Sequence, residues 1–192
     1  MWSQTTIAGE PRLLIVDGSG DIQGWEAGFC DRIWNFLARK GFRLAGEGPI
    51  RVRNPEELAE PFQDEDSFNC VFLACHGKAT DSDHSSLAAY WDWLSQHQGL
   101  DPKLLTVCTW EDHDADTSES ILESGDNVAS LAIVPQSPLS PRAAGLFYMK
   151  FFAELGDHSS DSITGRMVWF SCTKAREILR RRRLPGQIGM RC

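Results

Sequence analysis

The stretch 69-NCVFLACHG-77 is an apolar run that stops abruptly at His76 and Gly77. A run of this kind, without polar alternation, suits a strand covered on both faces, as in a parallel sheet. A second such run, Lys103 to Cys108 (KLLTVC), stops at Cys108. If the two strands lie side by side and parallel, His76 and Cys108 emerge at the same edge of one sheet. An imidazole beside a thiol there makes a base and a nucleophile, the core requirement of a cysteine peptidase.

The pattern repeats outward from this pair. Arg12 to Asp17 (RLLIVD) reads as a buried strand followed by the loop GSGD, and Ala129 to Val134 (ASLAIV) as another, closed by Pro135. Ile50 to Arg53 carries a weaker strand signal. Gly24 to Lys40 places Trp25, Phe29, Ile33, Phe36 and Leu37 at helical spacing before Gly41. Further helices are expected at Pro55 to Glu60, Leu87 to Gln96, Ser118 to Glu123, Pro141 to about Leu155, and Ile163 to Arg183. Strands alternating with helices predict an α/β fold with a mostly parallel central sheet and helices on both faces. No repeat or low-complexity linker divides residues 1–192, so a single domain is expected. A flexible basic tail is expected from about residue 184, where LPGQIGMRC offers little to bury.

Composition narrows the function classes. The 192 residues, 42% hydrophobic and 24% charged, are ordinary for a soluble globular domain. No apolar run approaches the roughly 20 residues that cross a bilayer, and the amino-terminal MWSQTTIAGEPR lacks a signal-peptide pattern, so a cytoplasmic location is expected. The net charge of −8 argues against general nucleic-acid binding. The basic residues concentrate at one end: Cys172 to Cys192 holds seven Lys or Arg against a single Glu. The Arg180 to Arg183 run has two readings, a contact with RNA, an acidic partner or the body itself, and the plainer one of a solvated helix end. The cysteines at 30, 70, 75, 108, 172 and 192 form no C-x-x-C pair, and no metal-ligand spacing recurs, so reduced thiols and no metal site are expected.

The strand ending FLACHG, the later strand ending in Cys, and the strand-Pro segment before a long aromatic helix (SLAIVPQSPLSPRAAGLFYMKFFAELG) together resemble the CHAT domains of the caspase-like peptidase clan. The resemblance spans about Leu13 to Leu179, and ACHG is its one specific motif. It implies a three-layer caspase-haemoglobinase-like fold and a cysteine endopeptidase acting on a protein or peptide substrate without a cofactor. His76 would then be the general base or acid and Cys108 the nucleophile. The N–H groups of Gly77 and Cys108 would form the oxyanion hole. The resemblance also implies an effector role in signalling or defence under an activating sensor protein. This chain departs from the pattern after the nucleophile, where Thr109 and the bulky Trp110 replace small residues and Gly.

Each of these residues also has a plainer reading. A cysteine in an apolar run is most often core packing. Cys75, one residue before His76, alternates to the opposite face. Asp17 is a candidate for selecting a basic substrate side chain, and equally a turn residue bonding the GSGD loop. Glu111, Asp112, His113, Asp114 and Asp116 form an acidic cluster suited to a divalent cation or a basic peptide, and more plainly a solvated loop. Two other functions therefore stand beside the peptidase. One is a catalytically silent interaction module of the same fold, and the other is a ligand-binding α/β domain using the same sheet edge.

Overall fold

In the computed structural model the described residues are 6–19, 28–63, 68–76, 86–97, 103–109, 119, 129–137, 139–158, 161–184 and 188–191. The core of the main sheet is β2 (Arg12–Gly18), β5 (Cys70–Cys75), β6 (Leu104–Thr109) and β7 (Leu131–Pro135). They are consecutive parallel neighbours, as their unbroken apolar runs require. The fourth begins at Leu131, two residues later than the sequence indicates. Two short strands, β3 (Arg43–Leu44) and β4 (Ile50–Arg51), pair parallel to β2 at its start and end.

The helices cover both faces. On one face lie α1 (Phe29–Arg39), α4 (Pro141–His158) and α5 (Gly165–Arg181). On the other, a 3₁₀ turn (Pro55–Leu58), α2 (Ala59–Phe62) and α3 (Leu87–Gln96) pack on a smaller cluster. Alternation along β2 divides the two cores: Leu13 and Ile15 face the first, Leu14 and Val16 the second. The first core is built on aromatic rings. Phe72 meets Tyr148 at 4.8 Å and Phe152 at 6.0 Å, both edge-on, the arrangement that ring quadrupoles favour.

Helix starts follow local chemistry. Ser86 Oγ accepts from Ala89 N at the start of α3, Ser140 Oγ from Ala143 N at α4, and Thr164 Oγ1 from Met167 N at α5. Each side chain satisfies a backbone donor that the helix itself leaves open. At the end of α5, Leu184 N donates to Leu179 O and Arg183 N to Arg180 O. This pair of bonds places Arg183 at φ 53°, the left-handed position usually given to glycine.

Two expectations need correction. Residues 188–191 are not a loose tail but the strand β9 (Ile188–Arg191), antiparallel to β7. Ile188 is buried, and the Arg176 guanidinium donates to its carbonyl. The physical reason is the open edge of β7, whose N–H and C=O groups find partners in any extended segment within reach. Next, Ile163 belongs not to the last helix but to β8 (Ser162–Thr164), which pairs antiparallel with β1 (Thr6–Ala8) in a separate ribbon. Helix α1 is described from Phe29, and residues 24–27 lie outside the described residues, as does all of 118–123 except 119.

Candidate functional site

From β2 the chain goes first to β3 and β4 on one side and then crosses to β5 on the other. The topological switch therefore lies between β2 and β5. In open α/β sheets a ligand crevice forms outside the carboxyl ends of the strands at such a point. The register brings Gly18 opposite Cys75 there, so the residues leaving the sheet are Ser19 and His76.

His76 is half-buried and held by several bonds. Its ring Nε2 lies 2.9 Å from Ser19 O, and its own carbonyl accepts from Leu87 N at 2.8 Å. A carbonyl can only accept, so Nε2 carries the proton and Nδ1 is the basic nitrogen of the neutral ring. Ser19 is fixed in turn by Asp17, whose Oδ1 accepts from Ser19 N at 3.3 Å and from the Ser19 hydroxyl. Asp17 thus serves the turn, and the chain Asp17–Ser19–His76 orients the imidazole. The part of Ser19 is not legible in the sequence, because its contribution is a main-chain oxygen.

Cys108 lies on the same sheet face as His76 but deeper. Its register partner is Ala74, two residues before His76, which leaves it about 6.6 Å short along the strand direction. It is fully buried at 0% exposure, between β5 and the aromatic core. Burial pushes the Cys108 thiol well above the ordinary range, and Cys75 adds to the effect. The Tyr148 hydroxyl from α4 donates to Val107 O, tying the helix to the strand beside Cys108. Cys30, in the first turn of α1, is likewise buried, and its thiol is raised by burial first and then by the Asp17 carboxylate. Cys75 faces the second core, as alternation requires.

Gly77, Trp110, the acidic cluster 111–116 and Cys192 lie outside the described residues. On the second face, Tyr90 packs its ring under Gly18, where a β-carbon would come within 2.6 Å of the hydroxyl. Only glycine fits that contact, and the buried Tyr90 hydroxyl has no hydrogen-bond partner among the described residues. Among the described residues no helix is long and apolar enough to cross a membrane.

No family model matches this chain, and neither does any curated protein. Among solved structures it is similar to an inactive zymogen of a C11 protease from Parabacteroides distasonis, with TM-score 0.60 and 10% identity. The likeness is one of fold, a mixed α/β chain with a mostly parallel central sheet. The likeness covers 95% of this chain and 62% of that one, so the chain spans less than two thirds of the length of the zymogen. At this identity the shared property is the mostly parallel sheet flanked by helices.

Proposed function

We propose that this chain is a catalytically silent caspase-like domain, of the CHAT type, that works as a protein-interaction module. The burial of Cys108 carries this reading. A nucleophilic thiol must be reachable and ionised, and the thiolate is what attacks. Cys108 is fully buried with its thiol pushed well up, a full pleat beneath the imidazole that would activate it. Its size and apolar surroundings fit core packing.

A second reading, the cysteine endopeptidase, keeps support from two observations. His76 and Cys108 share one face of adjacent parallel strands, and the ring is anchored through Nε2 with Nδ1 as its basic nitrogen. In that reading Cys108 is the nucleophile, His76 the base, and the N–H groups of Gly77 and Cys108 the oxyanion donors. The end of β6 must then shift outward before it acts, under a sensor partner. The likeness to a protease zymogen is compatible with such a resting state. The oriented crevice at Ser19 and His76 serves either reading as the contact point for a protein or peptide, in a cytoplasmic setting.

An electrophilic peptide probe separates the two. In a Cys192→Ser background, the silent domain leaves Cys108 unlabelled in the native state and cleaves no peptide in a fluorogenic library. Labelling mapped to Cys108, slowed by His76→Ala near neutral pH, would establish the peptidase instead.

A further inference from the structure

At the other end of the strands from His76, a groove of about 460 Å³ runs over the outer face of α4. Leu146, Met149 and Ala153 form its floor, spaced as one stripe of the helix and only partly buried. The inner side of the same helix sends Phe147, Phe151, Phe152 and Leu155 into the core. Phe36 of α1 and Ile178 of α5 wall the groove, and Phe42 closes one end. Gly156 makes that end possible: a β-carbon there would come within 2.9 Å of the Phe42 ring. The floor from Leu146 to Asp157 is about 16 Å long, roughly three helical turns.

Three charged side chains line this apolar floor, two basic and one acidic. Lys40 and Lys150 both line the groove, with Asp157 as its one carboxylate. Lys150 is paired with Glu154, while Lys40 makes no ion pair among the described residues. Ile178 stands one turn before Arg181 and Arg182, so the exposed basic end of α5 continues from the groove wall. Arg181 is paired with Glu177.

We infer that this groove is the docking site for an acidic amphipathic helix of a partner protein. A valley between helices, floored by a helical stripe of Leu, Met and Ala, accepts the apolar face of another helix. Methionine at its centre adapts to varied side chains. Carboxylates flanking that apolar face meet Lys40 on one side and the α5 arginines on the other, which favours acidic over basic partners. The inference stands apart from the state of Cys108, since the groove shares no residue with the sheet edge.

The test uses the full chain and a fluorescein-labelled synthetic helix. Its apolar residues stand at i, i+3, i+4 and i+7 with Glu on both flanks, and a control peptide replaces each Glu by Lys. Anisotropy should show the acidic peptide binding at least tenfold tighter than the control and weakening with salt. Met149→Glu and Lys40→Glu should each reduce binding tenfold or more, with the circular dichroism spectrum unchanged. Equal binding of both peptides, no binding of either, or indifference to Met149→Glu would overturn the inference. So would self-association of the free chain in sedimentation that Met149→Glu abolishes, which would make a second copy the occupant.

Discussion

The ends of β5 and β6 look alike as sequence and differ as structure. Each is an apolar run closed by a residue with reactive chemistry, and the two strands are paired neighbours. β5 leaves the sheet at His76, which turns to Ser19 O and is half-buried. β6 continues past Cys108 to Thr109, so the thiol remains an interior strand residue with no exposure. A shift of two residues in register keeps a side chain on the same face but moves it from edge to core. Sharing a face is therefore a weaker condition than sharing a depth.

The sharpest way to break this contrast is to substitute both positions. Cys108→Asp buries a carboxylate without a partner and should cost about 3 kcal/mol or more, up to loss of folding. His76→Ala removes one half-exposed bond and should cost less than about 1 kcal/mol. Urea unfolding measures both, and similar costs would mean that the two depths are not different.

Removing residues 188–192 tests whether the depth of Cys108 depends on the sheet's edge. The truncation exposes β7 and frees buried Ile188, with an expected loss of about 2 kcal/mol. Cys108 should nevertheless stay unreactive to alkylation in the native state, because β5 and the aromatic core still cover it. Faster labelling after truncation would place its protection in the carboxyl-terminal strand.

Alkaline pH gives a third measure. Burial raises the thiols of Cys30, Cys70, Cys75 and Cys108 and the phenols of Tyr90 and Tyr148. Above pH about 8.5 the unfolded chain gives up protons that the native state keeps, so stability falls as pH rises. Below that pH these groups contribute no slope. Cys108→Ala should remove about 1.4 kcal/mol per pH unit of the alkaline decline, whereas His76→Ala should leave it unchanged. Chemical denaturation between pH 7 and 10.5 reads this directly, and an unchanged slope in Cys108→Ala would mean that its thiol ionises freely.

The smallest effect belongs to the orphan hydroxyl beneath the crevice. Tyr90→Phe removes a buried group with no partner among the described residues and should stabilise by up to about 1 kcal/mol. A loss of stability would show that the hydroxyl has a partner, and a change in peptide binding at the crevice would name it as part of that site.

Much of this was open to reading in the chain itself. Four strands, their parallel order, the helix at Leu87–Gln96 and the helix from Pro141 to about Leu155 follow from apolar runs and periodicity, which are local signals; the last of these runs on to His158. The site was legible only in part. His76 stands where its motif indicates, but the Ser19 carbonyl that orients it has no side-chain signature. β9 carries Gly and Met in four residues, and its pairing comes from the edge of β7 rather than from its own composition.

By itself, then, the sequence determined the layers of the fold and the face on which His76 and Cys108 lie, because periodicity sets the side of a strand to which a residue points. Tertiary structure alone decided how deep each one sits, which edge is closed by β9, and that a groove remains over α4. Depth, edges and grooves depend on register and on neighbours far along the chain, and no local pattern of residues encodes those distances.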